Sequence, residues 1–186
     1  MNYNDYLQQG FKFSQEKKLG PALENFEAAL KLQPNDEELK QMVEMLKMMI
    51  HVKEEENRER ANEIQSRLSY IGITDVEDID DAIERFIKDY KSNPDDDNKS
   101  LLATAYYIRG MTFILKGDYA GAVEDYDEAI NLSPDYVFAL NERCAAYCEI
   151  GKYDEAIEDS KKLNKLRPDK YGDEYLARVY ARCKRK

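Results

Sequence analysis

The fold of this chain is decided by residues 110–134, which read GMTFILKGDYAGAVEDYDEAINLSP. Small residues, aromatic rings and one proline stand at fixed positions there, namely Gly110, Phe113, Ala122, Tyr126, Ala129 and Pro134. The same positions near the start of the chain hold Gly10, Phe13, Ala22, Phe26, Ala29 and Pro34, and a looser third copy keeps Tyr147, Ala156 and Pro168. Ala122 to Ala156 and Pro134 to Pro168 are both steps of 34 residues, the period of units built from two helices and a turn.

Each copy predicts a pair of helices that pack closely on each other. Gly110 on the first helix and Ala122 on the second are small, so the two backbones can approach. Pro134 ends the second helix, because proline lacks the backbone donor and clashes inside a helix. The third copy departs from this pattern, with Cys144 at the glycine position and Ser160 at the large aromatic position. We expect looser packing in that copy.

The pattern resembles that of the tetratricopeptide repeat family, whose members bind segments of other proteins. The resemblance implies an all-α fold, a helix-turn-helix solenoid with a right-handed superhelix, here with a long inserted central helix and a C-terminal capping helix. A repeat of this kind cannot bury its apolar face alone and must stack on its neighbours. The predicted segments are a first repeat at 1–36, the long helix with a degenerate repeat and an acidic linker at 37–100, further repeats at 101–134 and 135–168, and the capping helix with a basic tail at 169–186.

The long central helix is predicted because residues 36–71 contain neither glycine nor proline. One apolar stripe runs through Leu39, Met42, Val43, Leu46, Met49 and Ile50, and a second runs through Ala61, Ile64, Leu68 and Ile71. Residues 53–60 between the stripes are polar on all sides, which is typical of a solvated stretch of helix. We therefore predict one helix across 36–71, with two helices broken near Asn57 as the alternative.

The composition narrows the classes of function. A formal charge of −10 argues against nucleic-acid binding, which needs a basic face. The basic tail at 182–186 is interpreted as a solvated end, with a docking tag for an acidic surface as the alternative. No stretch approaches the ~20 apolar residues of a membrane span, and the N-terminus has no secretory signal pattern. Three cysteines, an odd number, predict reduced thiols and a cytoplasmic location.

No enzymatic chemistry is indicated by the sequence. His51 is the only histidine and is far from Cys144 and Cys148 in the chain, so we expect those cysteines to be structural and not metal ligands. The pattern of a phosphate-binding loop is absent, and the many carboxylates single out no acid–base pair. We predict a protein that is not an enzyme and has no cofactor and no metal.

The resemblance places a peptide-binding groove on the first helix of each repeat. The groove residues it implies are Asn4, Leu7, Phe11, Thr104, Tyr107, Met111, Phe138, Asn141, Ala145, Cys148, Tyr175 and Val179. Tyr107, Met111 and Phe138 would form an apolar and aromatic surface, with Asn141 as a polar anchor. Such a surface suits an apolar or amphipathic segment of a partner. The alternative is that some of these residues pack on a neighbouring repeat or on the long helix of the same chain.

One well-known ligand of the family is not expected here. Members that bind the acidic C-terminus of heat-shock chaperones hold its carboxylates with lysines, asparagines and an arginine. In this sequence the corresponding positions are occupied by Tyr107, Met111, Glu142, Gly172 and Leu176. An acidic terminus would meet Glu142 without a paired cation, so the sequence predicts a different partner.

Two functions of different classes remain open at this point. The first is an adaptor or scaffold protein that binds a peptide segment of a partner in the concave groove. The second is a structural protein that forms a homodimer through the methionine-rich part of the long helix, residues 37–50. Met42, Met45 and Met49 would carry that self-association, because methionine adapts readily to helix interfaces.

Overall fold

The protein, described here over residues 1–184 of a computed structural model, is built from helices. They are α1 (Tyr3–Gln15), α2 (Leu19–Leu32), α3 (Glu37–Tyr70), α4 (Ile79–Ser92), α5 (Asp96–Lys116), α6 (Tyr119–Leu132), α7 (Val137–Ile150), α8 (Tyr153–Leu166) and α9 (Asp173–Lys184), with a 3-10 turn at Val76–Asp78. No β-strand occurs in residues 1–184. The all-α prediction is confirmed.

The chain divides into two compact units, of which unit 1 comprises residues 1–59. Its buried core lies on α2 and the first part of α3, and consists of Ala22, Phe26, Ala29, Leu39, Val43 and Leu46. Partly buried side chains of α1 pack against this core. Gly10 faces Phe26 so closely that a Cβ atom at this glycine would lie 2.5 Å from the ring atom Cε1. The ring therefore fills the space that the missing side chain leaves.

Unit 2 begins at Arg60 and contains the end of α3 and helices α4 to α9. Here α5 pairs with α6 and α7 pairs with α8, as the two later copies of the sequence pattern predict. Gly110 meets Tyr126 as Gly10 meets Phe26, and a Cβ atom at Gly110 would again lie 2.5 Å from the ring. Tyr126 is fully buried at this crossing.

The two substituted positions of the third copy lie in the interior of unit 2. Cys144 and Ser160 are both buried, at 1% and 0% exposure. The Cys144 thiol donates to the carbonyl oxygen of Ala156 at 3.2 Å, and the Ser160 hydroxyl donates to that of Ile157 at 2.8 Å. Both residues are thus enclosed with their polar groups paired, and looser packing in this copy stays a prediction.

α3 is one continuous helix of 34 residues, Glu37–Tyr70, so the prediction of a single long helix is confirmed and a break near Asn57 is wrong. Between Leu46 and Ile64 none of its side chains is buried, in agreement with the polar composition of 53–60. The predicted capping helix is also present as α9, with Val179 buried. The basic tail reaches beyond residue 184, and Arg185 and Lys186 lie outside the described residues.

A pair of arginines that the sequence analysis missed links the helices of unit 2. Nε and Nη2 of Arg109 donate to both carboxylate oxygens of Asp125, at 2.8 and 2.7 Å. Arg143, 34 residues later, donates in the same way to Asp159 at 2.8 and 2.6 Å. Each arginine also pairs at 2.6 Å with a carboxylate of another helix: Arg109 with Asp80, and Arg143 with Asp127. These forks fix the register of consecutive helix pairs.

We predict that Arg143→Ala lowers the free energy of unfolding by about 3–5 kcal/mol, because it leaves the buried carboxylate of Asp159 without its partner. The matched control is Arg58→Ala, which removes an exposed ion pair with Glu55 and is expected to cost about 0.5 kcal/mol or less. Urea denaturation of both variants measures the difference. Equal losses of stability would show that the Arg143 fork does not hold the helix pair together.

Candidate functional site

The predicted groove residues of α5 are not open to solvent. Thr104, Tyr107 and Met111 are buried, at 7%, 1% and 1% exposure. The sequence predicted that they would be accessible, because the packing positions of the repeat, Tyr106, Gly110 and Phe113, lie on the other side of the same helix. Thr104 lies beside Tyr136, whereas Tyr107 and Met111 share a buried cluster with residues 60–70 of α3. We call residues 60–70 the inner segment.

Aromatic and charged contacts join the inner segment to the groove. The guanidinium of Arg67 lies over the rings of Tyr107 and Phe138, 4.7 Å from each centroid. Arg60 pairs with Glu142 of α7 at 2.5 Å, and the Tyr107 hydroxyl donates to Glu63 at 3.4 Å. Tyr107 therefore packs on the long helix of its own chain, which was the alternative to an open groove. Burial raises the pKa of Tyr107 well above its ordinary value, so its hydroxyl keeps its proton at neutral pH.

An open cleft lies beside this covered region, between α7 and α9. We call it the α7/α9 cleft; its volume is about 400 Å³. Five of the predicted groove residues line it, namely Asn141, Ala145, Cys148, Tyr175 and Val179. The remaining lining residues are Cys144, Lys170, Tyr171, Arg178 and Arg182. Of these five, Asn141, Ala145 and Tyr175 are half-buried and reach the surface of the cleft, whereas Cys148 and Val179 are buried beneath it.

A hydrogen bond organises the floor of the α7/α9 cleft. The Tyr175 hydroxyl donates to Oδ1 of Asn141 at 2.9 Å, which ties α9 to α7. Burial raises the pKa of Tyr175 above its ordinary value, so the phenol is a neutral donor at physiological pH. Ala145, Cys148 and Val179 supply the apolar part of the floor. The amide nitrogen of Asn141 donates to Oε1 of Glu142 at 3.4 Å.

Cations form the rim of the α7/α9 cleft. Arg182 pairs with Glu149 at 2.5 Å, and the guanidinium of Arg178 lies 6.0 Å from the ring of Tyr175. Among the residues that the structure describes, no carboxylate pairs with Lys170 or Arg178. Sequence reasoning missed this rim, although Arg178 stands one residue from Val179 and three from Tyr175, both predicted groove residues. The rim could have been predicted from the sequence, because Arg178 stands between the predicted groove residues Tyr175 and Val179.

The predicted groove residues of unit 1 lie on α1. Asn4 is exposed, Leu7 is half-buried, and Phe11 is 46% exposed with its ring edge-on to Phe26 at 5.1 Å. On α3, Met45 and Met49 are exposed, whereas Met42 is half-buried against the core of unit 1. Met48 and Val52 of α3 are also exposed and continue this apolar face along the helix.

Neither a metal cluster nor a membrane-spanning helix is found in the described part of the chain. No group of three histidine, cysteine or carboxylate residues there is arranged to hold a metal ion. Cys144 and Cys148 are buried. None of the helices in residues 1–184 is long and apolar enough to cross a membrane.

Comparison with known proteins identifies the repeat. Residues 103–136 match the family model described as tetratricopeptide repeat, which confirms the resemblance over that stretch. The chain is 41% identical over 58 residues to small glutamine-rich tetratricopeptide repeat-containing protein 2 of Mycosarcoma maydis, over 31% of this chain and 16% of that protein. It is 38% identical over 61 residues to Hsp70-Hsp90 organizing protein 2 of Arabidopsis thaliana, over 33% of this chain and 11% of that protein. The chain therefore spans less than a fifth of the length of these relatives.

Solved structures give a weaker likeness over nearly the whole chain. The TPR2AB domain of yeast Sti1, solved in a pHSP90 complex, is 14% identical with a TM-score of 0.43, covering 98% of this chain and 69% of that one. A thermophilic tetratricopeptide repeat protein of Thermus thermophilus is 19% identical with a TM-score of 0.38, covering 97% and 98% of the two chains.

Proposed function

We propose that this tetratricopeptide repeat chain is a non-enzymatic adaptor that binds an apolar or amphipathic segment of a partner protein in the α7/α9 cleft. The observation that carries the proposal is the open cleft itself, which has an apolar floor, a fixed polar pair and a cationic rim. Nothing in this mode of action calls for a cofactor or a metal. The odd number of cysteines is compatible with a cytoplasmic location.

The lining of the cleft specifies the chemistry of the segment. Ala145, Cys148 and Val179 favour apolar side chains, because small residues in the floor leave room for larger groups of a ligand. Lys170 and Arg178 favour an acidic residue at the edge of the same segment. Most of the affinity should come from apolar burial in the floor, so raising the salt concentration should weaken binding without abolishing it.

Chaperone-related relatives make an acidic chaperone terminus the natural competitor for this role, and the residues argue against it. Tyr107 and Met111 occupy two positions where the family would place the clamp, and both are buried here. Glu142 is paired with Arg60 and presents a carboxylate, not an amide. Gly172 and Leu176 supply no cation at the remaining positions. We therefore propose a partner segment that is held by the cleft floor and not by a carboxylate clamp.

The cleft is tested by Ala145→Glu, which places a charged side chain on its floor. Affinity capture from a cell extract should show a partner that binds the wild type and is lost from this variant. The matched control is Ala120→Glu, at an exposed position of α6, which should capture the same partner as the wild type. Full capture by Ala145→Glu with unchanged helicity would move the binding site away from the α7/α9 cleft.

Self-association is the second candidate function, and the exposed apolar face of α3 favours it. Met45, Met48, Met49 and Val52 are 57%, 69%, 49% and 55% exposed. Their spacing of three, one and three residues places them on one side of the helix. Four neighbouring exposed apolar side chains on one helix face are typical of a protein–protein interface, and a homodimer would bury them.

For this second candidate we expect sedimentation to detect a dimer that Met45→Glu with Met49→Glu dissociates, because two buried carboxylates would oppose the contact. Leu32→Glu, at an exposed position of α2, serves as the control and should leave the dimer intact. A wild-type chain that stays monomeric at high concentration would remove self-association from consideration.

A further inference from the structure

The inner segment makes contacts of the kind that a bound peptide helix makes. Three rings beside Arg67 form a cluster, which we call the aromatic site: Tyr107, Tyr136 and Phe138. The ring of Tyr136 lies 5.3 Å from that of Tyr107 and 6.4 Å from that of Phe138, at 88° to the latter. A cation over the faces of such rings is attracted by their π electrons. In this structure the aromatic site contacts the guanidinium group of Arg67.

The position of the arginine is fixed by neighbours within the inner segment. Nε and Nη2 of Arg67 donate to Glu63, one helical turn earlier, at 3.0 and 2.8 Å. Glu63 also accepts from Tyr107, so one carboxylate orients both the cation and the ring below it. This arrangement holds the guanidinium against the aromatic site.

A second charged contact sets the direction of the inner segment. Arg60 stands seven residues before Arg67, two helical turns away on the same side of α3, and pairs with Glu142. Glu142 is largely buried, with 18% of its side chain exposed. The groove thus offers an aromatic receptor at one end and a carboxylate at the other, spaced for two arginines of one helix.

Two apolar side chains complete the pattern. Ile64 and Leu68, one turn apart, are buried in the same cluster as Tyr107 and Met111. Together with Arg60, Glu63 and Arg67 they follow the i, i+3, i+4, i+7, i+8 spacing by which amphipathic helices bind in grooves. Preceding them, no side chain of α3 is buried between Leu46 and Ile64. In the second half of α3, the first buried side chain is therefore Ile64, which lies within the inner segment.

We infer that the groove of α5 and α7 is a recognition site for amphipathic helices that carry two arginines seven residues apart. The inner segment is its internal ligand, and a partner helix of the same chemistry displaces it. Phe138 remains 48% exposed beside the bound arginine, so an incoming helix can reach the aromatic site from solvent. This site is separate from the α7/α9 cleft, and the inference does not depend on the function proposed for that cleft.

The test uses a fluorescent peptide with the sequence of residues 58–72 and the full chain as its receptor. In the receptor variant Arg60→Ala with Arg67→Ala, the internal ligand is weakened while the groove is unchanged. The variant should bind the peptide about tenfold more tightly than the wild type, because apparent affinity follows the fraction of molecules whose site is open. Fluorescence anisotropy measures both affinities, and circular dichroism checks that the variant is folded.

Three controls separate recognition from nonspecific binding. A peptide carrying Arg67→Ala should lose binding, and so should the native peptide when Phe138→Ala is added to the receptor variant. Leu115→Ala, at an exposed position of α5, should leave binding unchanged. A folded receptor variant that does not bind the peptide would overturn the inference. So would a receptor variant that no longer folds, because the inner segment would then be a permanent part of unit 2.

A measurement on the wild type makes the test independent of the variants. Excess native peptide should speed the hydrogen exchange of amides in residues 60–70, while those of α6 keep their protection. This result is expected only if the inner segment leaves the groove when the peptide enters. Unchanged exchange at a peptide concentration that saturates the receptor variant would contradict displacement.

Discussion

The close approach of Gly110 to the ring of Tyr126 is the contact on which the rest of unit 2 depends. A Cβ atom at this glycine would lie 2.5 Å from the ring, so only a residue without a side chain allows α5 and α6 to cross here. Gly10 and Phe26 repeat the contact in unit 1. Once helix pairs form in this way, each leaves an apolar face that must stack on the next pair. In unit 2 the first helices of two consecutive pairs, α5 and α7, contact the inner segment, and α7 also lines the α7/α9 cleft.

Equivalent positions of the predicted groove have different roles along unit 2. Around Tyr107 and Met111 the chain covers its own surface with the inner segment, whereas around Asn141 and Tyr175 the surface stays open. The covered part combines aromatic rings with a carboxylate and contacts two arginines of the same chain. The open part combines an apolar floor with a cationic rim. Unit 2 thus presents two surfaces of different composition, one covered and one open.

The helices and their pairing could be predicted from the sequence because they follow local rules. The positions of Gly110, Ala122 and Pro134 recur at a fixed period, and the absence of glycine and proline from 36–71 predicts the single long helix. The accessibility of Tyr107 could not be predicted, because it depends on Arg67, which is 40 residues earlier in the chain and packs on it through charge and ring contacts. The 34-residue spacing of Arg109 and Arg143 was visible in the sequence, but it lies outside the pattern of small and aromatic residues that predicts the repeats.

Photochemical crosslinking from position 138 tests most directly whether the inner segment lies on the aromatic site of its own chain. Phe138 would be replaced by the photoreactive aromatic p-benzoylphenylalanine, the purified monomer irradiated, and the crosslinked peptides identified by mass spectrometry. Because the guanidinium of Arg67 lies over the Phe138 ring, we predict a crosslink within one chain to residues 60–70. Crosslinks that avoid this segment, or that join only different chains, would contradict the internal placement of the inner segment.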